Sequence, residues 1–295
     1  MTALFESSVV SSNPEYVALR DHPRNAALRE IASQLWLSFA PYADPSFPQL
    51  FADQLHPRFW EMYLAVRLLE KGLKLIPKSA SRGPDIHAIF SGNDLWIEAV
   101  APEEGEGPDA VPSLEEHESY EPYPEDKIIL RFTNAISEKL KIHERYVVGG
   151  LVDKTHPYVV AINGRGIKQT IFDGPLPTII KAVYQVGDYQ VTINTRTFET
   201  VREGYNTRFE ILKASKAPVS TKAFLDPAYS SVAGVLYSQA ALWDMPEEPG
   251  KEFLYVHNAT ATSSLPNGWL CSVKECFKEG DHLLMARTSV NRSGT

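Results

Sequence analysis

The chain has 295 residues, of which 43% are hydrophobic and 22% are charged, and its formal net charge is −8. This is the composition of an ordinary globular protein, and no run of about 18 apolar residues predicts a transmembrane helix. The first residues lack the basic start and apolar stretch of a secretory signal, so we expect a cytoplasmic protein that contacts no membrane and keeps Cys271 and Cys276 reduced.

The negative charge is concentrated in one segment, residues 103–126. It holds ten acidic residues and no Lys or Arg, so the rest of the chain is slightly basic. Its Pro and Gly content predicts a long exposed loop. We interpret it either as a solvated insertion or as an electrostatic lid over a cationic site, which a phosphate would have to displace.

The predicted elements alternate between helices and strands. In chain order they are a helix near 22–40, a helix at 57–75, strands near 84–90 and 95–101, a helix at 126–146, a strand at 156–163, and later strands near 189–194, 231–238 and 253–258. Helix, hairpin, helix, strand is the order of a mixed α/β fold with a central sheet flanked by helices.

This order suggests three regions. Residues 1–50 form an N-terminal helical appendage, and residues 51–170 form an α/β core that includes the acidic loop. Residues 171–295 then extend the sheet with further strands and complete the same domain.

Two acidic residues interrupt the apolar hairpin. With the turn centred on Gly92–Asn93, Asp85 pairs with Val100 and His87 pairs with Glu98. Because side chains alternate with period two, all four lie on one face of the sheet. An odd loop or a bulge would turn one strand over. We interpret His87 as a hydrogen-bonded structural histidine.

Each flanking helix also carries one charge on its apolar side. Glu61 lies about opposite Glu70 on the helix at 57–75, and Lys139 lies inside the apolar stripe of the helix at 126–146. Taken singly, Glu61 fits a partly exposed acid near a helix N-terminus, and Lys139 fits a lysine whose stem covers apolar surface.

The four charged residues come from four neighbouring elements, and the simplest interpretation is that they face each other. Carboxylates with a lysine are typical of a Mg²⁺ or Mn²⁺ site. The metal ligands would be Asp85, Glu98 and Glu61. Lys139 would lie near a developing anion or an attacking water.

The helix with Glu61, the strand that begins Gly83-Pro84-Asp85, and the strand with Glu98 resemble the PD-(D/E)XK, restriction-endonuclease-like nuclease superfamily, over about residues 57–165. The resemblance implies a restriction-endonuclease-like core and metal-dependent hydrolysis of phosphodiester bonds, with DNA as the expected nucleic-acid partner. It also implies that Glu61, Asp85, Glu98 and Lys139 are the catalytic residues.

The sequence departs from the superfamily at one position. The usual lysine two residues after the second acid is replaced by Val100. Lys139 on the following helix is the candidate for that charge, with Lys127 and Arg131 as weaker ones. Other basic residues near the ends of core elements would contact the nucleic-acid backbone: Lys78, Arg82, Arg165 and Lys168.

Two alternatives stay open beside the nuclease. The chain is either a catalytically inactive member of the fold that binds nucleic acid or a protein partner, or an unrelated α/β protein with structural ion pairs. A homodimer fits all three. The sequence has no G-x-S-x-G, P-loop or H-E-x-x-H motif that would favour another enzyme class.

Overall fold

The computed structural model describes residues 3–78, 83–114 and 123–287. Its helices are α1 (Pro14–Asp21), α2 (Ala26–Phe39), α3 (Phe47–Asp53), α4 (Leu55–Glu70), α5 (Glu125–Val148) and α6 (Thr178–Tyr184). Its strands are β1 (Lys74–Ile76), β2 (Ile86–Phe90), β3 (Asn93–Val100), β4 (Tyr158–Asn163), β5 (Val186–Ile193), β6 (Thr200–Thr207), β7 (Glu210–Leu212), β8 (Pro218–Ser220), β9 (Gly234–Ser238), β10 (Leu254–His257), β11 (Lys274–Glu279) and β12 (His282–Arg287). Within the described ranges, no helix combines the length and the apolar composition needed to cross a membrane.

An eight-stranded mixed sheet forms the centre of the molecule, in the order β1-β2-β3-β4-β9-β10-β11-β12. Strands β3, β4 and β9 run parallel to one another, and most outer pairs are antiparallel. Every residue of β4 and β9 is buried. Continuous apolar runs such as YVVAIN are typical of strands that are covered on both faces. The predicted mixed α/β class with helices beside a central sheet is confirmed.

Helices α1 to α4 cover one face of the sheet. Their apolar side chains share one buried cluster with the alternate residues Ile86, Ala88, Ile97 and Val159 of the strands. Helix α4 is buried on nearly all sides, because it lies between the sheet and the N-terminal helices. Residues 1–50, predicted as an appendage, therefore contribute directly to this core.

Helices α5 and α6 cover the opposite face. Their cluster includes Ile128, Phe132 and Ile179 together with Val160 and Ile162 of β4. The alternation of Val159 and Val160 between the two clusters is what the period-two geometry of a strand requires. Strands β9 to β12 belong to the same sheet as β1 to β4, so the C-terminal region extends the sheet.

The hairpin register differs from the prediction by two residues. The turn lies at Ser91 and Gly92, with φ of 51° and 83°, rather than at Gly92–Asn93, and Phe90 pairs with Asn93. Two successive residues with positive φ are the signature of a type I′ hairpin turn. His87 therefore pairs with Trp96 instead of Glu98. A shift of two residues preserves the face of every side chain.

Three other features differ from the prediction or were not part of it. The helix expected to reach residue 75 ends at Glu70, because Gly72 has a φ of 88° and the chain then enters β1. The strand expected at 189–194 belongs to β5, which pairs with β6 in a separate two-stranded ribbon. The β11–β12 hairpin was not predicted, because its residues alternate weakly between apolar and polar.

The loops that follow β3 and β4 lie against each other at the edge of the sheet where the parallel strands end. The fit is close at Gly166, where a Cβ atom would come within 2.5 Å of the carbonyl oxygen of Pro102. Backbone atoms cannot move away as a flexible side chain can, so glycine is the residue that this contact requires.

We expect Gly166→Ala to lower the free energy of unfolding by about 1–3 kcal/mol, the usual cost of overpacking. The matched control is Gly174→Ala, since a Cβ atom at Gly174 meets nothing within 4 Å. Chemical denaturation of both variants measures the difference. Equal unfolding free energies would contradict the close contact.

Candidate active site

The predicted acids meet at the edge of the sheet where β3 ends. Asp85 lies directly before β2, and its Oδ2 accepts a hydrogen bond of 2.8 Å from the backbone N–H of Ala99 in β3. Glu98 lies on β3 and is only 4% exposed. Asp85 is near enough for its negative charge to raise the pKa of Glu98. The two hairpin acids therefore lie together, as the predicted face required.

Glu98 receives a lysine from the following helix. Lys139 Nζ on α5 lies 3.0 Å from Glu98 Oε1. Burial, followed by the charge of Asp85, raises the pKa of Glu98 to about 7, although Lys139 and Lys78 act in the opposite direction. The free-energy cost of removing the carboxylate from water thus exceeds the stabilisation that the ion pair provides, as is common for buried charges. Glu98 Oε2 is buried and has no hydrogen-bond partner in the described part of the chain.

Glu61 reaches the same edge from α4, on the other face of the sheet. Arg58 Nη1 lies 2.7 Å from Glu61 Oε2, and Lys78 Nζ lies 3.4 Å from Glu61 Oε1. Burial, followed by the charge of Asp85, raises the pKa of Glu61. Glu61 therefore lies close to Asp85 but reaches the edge from the opposite face to Glu98 and Lys139, and its role as a metal ligand stays a prediction.

The charged side chains at this edge form a row in which positive and negative charges alternate, except between Asp85 and Glu98. Lys78 Nζ is 3.4 Å from Glu61 and 4.0 Å from Asp85, and Lys139 closes the row at Glu98. Between Asp85 and Glu98 two acids adjoin. Among the described residues, no Lys or Arg forms an ion pair with both of them. One positive charge placed there would complete the alternation.

Carboxylate oxygens lie on either side of this gap. Asp85 Oδ2 and Glu98 Oε1 are hydrogen-bonded, whereas Glu98 Oε2 has no partner among the described residues and Asp85 Oδ1 lies 4.0 Å from the ammonium of Lys78. Carboxylate oxygens are the ligands that Mg²⁺ prefers. In residues 3–78, 83–114 and 123–287, however, no three His, Cys, Asp or Glu side chains are arranged to hold a metal ion.

Several residues at this site were missed or ranked low. Arg58 was not singled out, although its spacing of three residues from Glu61 on a helix is a recognisable ion-pair signal. Lys78 was expected to contact a nucleic-acid backbone. Tyr146 of α5 was also missed: burial, with smaller contributions from Glu98 and Asp85, raises its pKa to about 12. A single tyrosine in a long helix gives no sequence signal of this kind.

The two weaker candidates for the charge of the missing lysine, Lys127 and Arg131, form no ion pair with the predicted acids in the described part of the chain. The side chain of Arg131 donates to the backbone carbonyl of Glu103 at 2.8 Å, and Lys127 makes no ion pair among the described residues. Val100, at the superfamily's lysine position, packs against the apolar cluster beside α5. Of the three candidates, Lys139 alone contacts one of the predicted acids.

His87 lies on the predicted face, and its hydrogen-bond partner is Asp94 rather than one of the predicted site acids. Its Nε2 hydrogen-bonds Asp94 Oδ1 at 2.7 Å, and its ring stacks on Trp96 with centroids 4.0 Å apart. The predicted structural role of this histidine therefore has a physical basis in hydrogen bonding and stacking.

Specific contacts hold the parts of the acidic segment that the structure describes. Its end forms the start of α5, where Glu125 is paired with Lys181 and with Arg208. Glu104 accepts a hydrogen bond from Ser113, and Val111 is buried. Residues 115–122 and Arg82 lie outside the described residues, so the lid over a cationic site stays a prediction.

Comparisons with protein-family models, with curated proteins and with solved structures found no significant match. The resemblance to the nuclease superfamily therefore depends on the charged residues and on their order along the chain.

We expect Glu98→Gln to stabilise the metal-free protein at pH 8 more than at pH 5. The pKa of Glu98 is about 7 in the folded chain against an ordinary 4.5, so folding favours the protonated acid and its contribution to stability is lost as pH rises through about 7. The difference is on the order of 3 kcal/mol. Denaturant unfolding at both pH values measures it.

The control for this experiment is Glu138→Gln, an exposed acid on α5. It should leave the pH dependence of unfolding unchanged. A Glu98→Gln variant with the same pH dependence as the wild-type protein would contradict the raised pKa.

Proposed function

We propose that the protein is a divalent-metal-dependent nuclease that hydrolyses phosphodiester bonds in DNA. The observation that carries the proposal is the junction of Asp85 and Glu98, two adjoining acids with one unpaired oxygen between them and a lysine beside it. Burying such a junction destabilises the fold unless a cation neutralises it.

Each residue of the site would have its own role in hydrolysis. Asp85 and Glu98 would hold Mg²⁺ or Mn²⁺ through Asp85 Oδ1 and Glu98 Oε2. The metal, when bound, supplies a Lewis acid for a phosphate oxygen and an acidified water. Lys139, held by Glu98 Oε1, would position the attacking water or stabilise the charge that develops on the phosphate. Glu61 would act as a third acid if Lys78 moved aside.

Two features favour nucleic acid as the partner. Outside residues 103–126 the chain is slightly basic, and a slightly basic surface suits a polyanion better than the net charge of −8 suggests. Arg165 and Lys168 follow β4 at the same edge of the sheet as the acids. Lys168 makes no ion pair among the described residues and is the better placed of the two for contact with a phosphate backbone, since Arg165 is paired with Asp244 at 2.9 Å.

A second candidate is a closed network of structural ion pairs. Glu61 already has two cationic neighbours, Arg58 and Lys78, and Glu98 already has Lys139. A catalytically inactive nuclease-fold protein that binds nucleic acid or a partner is the third, since Val100 replaces the superfamily's lysine. The experiments below separate the three.

We expect the purified protein to cut DNA in Mg²⁺ or Mn²⁺, and Asp85→Asn to abolish cleavage. The same metals should raise the melting temperature of the wild-type protein at pH 8, because a cation offsets the repulsion between the two acids. The assays are cleavage of linear, supercoiled and single-stranded DNA, with thermal denaturation in parallel. A metal-induced stabilisation without cleavage would favour the inactive protein.

We expect Lys139→Met to lower the cleavage rate by at least about 100-fold, because a positioned charge in a dry site typically contributes that much. The matched control is Lys141→Met, an exposed lysine two residues further along α5, which should cleave normally. Circular dichroism checks that both variants fold. Normal cleavage by folded Lys139→Met would exclude Lys139 from catalysis.

A further inference from the structure

A cavity of about 570 Å³ opens at the edge of the sheet where β3, β4 and β9 end, and it has no role in the proposed chemistry. Its walls come from the start of α4 and from the loops that follow β3, β4 and β9, and the residues that matter here are His56, Glu104, Arg165, Lys168 and Trp243. Pockets of this size hold small organic ligands or single nucleotides. It lies at the same edge of the sheet as Asp85 and Glu98.

One wall of the cavity is aromatic. The ring centroids of Trp243 and His56 lie 5.9 Å apart, and their planes are inclined by 41°. Trp243 is 48% exposed although it is a large apolar side chain. An indole that is half open to a cavity is a suitable surface for stacking with a flat ring.

The cavity is also lined by polar groups that lack strong partners among the described residues. Glu104 Oε1 makes no hydrogen bond there, and the ring of His56 has only a weak one, donated to Asn163. Burial lowers the pKa of His56 to about 4; the charge of Arg165 acts in the same direction and the interaction with Asn163 opposes it, so the ring is neutral at pH 7. Buried polar atoms in native proteins normally have partners. A ligand with its own donors and acceptors would supply them.

The charges of the cavity argue against a phosphate inside it. Three acids line it, Glu15, Glu103 and Glu104. Of its two bases, Arg165 is already paired with Asp244 at 2.9 Å. A neutral ring that donates a hydrogen bond to a carboxylate fits this setting. Among nucleobases, cytosine, adenine and guanine carry an exocyclic amino group that can donate in this way, and thymine does not.

We propose that this cavity binds one unpaired nucleobase that carries an exocyclic amino group, with Trp243 stacked on the ring and Glu104 accepting from the amino group. His56 supplies a further donor or acceptor at the edge of the base. This inference rests on the proposed nuclease function. The substrate would be a strand with an unpaired cytosine, adenine or guanine beside the cleavage site. Extruding a base is least costly where the strand is already single.

The test is binding of fluorescent ten-residue oligodeoxynucleotides, oligo-dC and oligo-dT, to the full chain in EDTA. The two probes have the same phosphate charge and similar ring size. We expect oligo-dC to bind about ten-fold more tightly, because the O4 of thymine faces the carboxylate of Glu104 without a donor. Trp243→Ala should weaken binding of oligo-dC about ten-fold, since base stacking on an aromatic side chain is lost. Equal binding of the two probes to the wild-type protein would overturn the proposal.

Two variants complete the design. Glu104→Leu should remove the preference for oligo-dC while leaving oligo-dT binding unchanged or stronger. Phe198→Ala, which alters an aromatic residue that is 83% exposed and outside the cavity, is the control and should bind like the wild type. Unchanged oligo-dC binding by folded Trp243→Ala would also overturn the proposal. The wild-type comparison needs no variant to fold.

The same experiment keeps the two proposals apart. Binding is measured without metal, so absence of cleavage in Mg²⁺ or Mn²⁺ contradicts the nuclease and leaves the oligo-dC preference to be judged independently. Conversely, metal-dependent cleavage together with equal affinity for oligo-dC and oligo-dT supports the nuclease proposal and contradicts the proposal that the cavity binds a base.

Discussion

The contact between Lys139 and Glu98 is the constraint on which the rest of the site depends. It joins α5 to β3 at 3.0 Å in a position that is almost closed to water. The ion pair does not remove the cost of burial, since the pKa of Glu98 still rises to about 7. Asp85 adds a second negative charge beside it. A fold that keeps this arrangement accepts lower stability, and the proposed cation site would explain why it does so.

Much of this site could be predicted because charge on an apolar face is a strong signal. Glu61 and Lys139 are conspicuous on their helices, and Asp85 and Glu98 are conspicuous on the hairpin. The hairpin register was wrong by two residues, yet the face was right, because side chains repeat with period two. The α/β class and the long helices followed from periodicity in the same way.

The rest could not be predicted, because it depends on which segments meet in space. The sequence does not indicate that Lys78, after a short edge strand, lies between Glu61 and Asp85. It also gives no sign that the loops after β3, β4 and β9 enclose a cavity with His56. Short or weakly alternating strands such as β1, β11 and β12 were missed because their sequences carry little of the period-two signal of a strand.

The acid junction and the cavity lie at one edge of the sheet, where the parallel strands end and loops can vary without disturbing the core. The most direct test of the account is a crystal structure of the protein soaked in Mn²⁺, with the anomalous signal of the metal measured. The account predicts one Mn²⁺ in contact with Asp85 Oδ1 and Glu98 Oε2, and Lys139 still paired with Glu98. Crystals with no anomalous peak between these two acids at millimolar Mn²⁺ would contradict it.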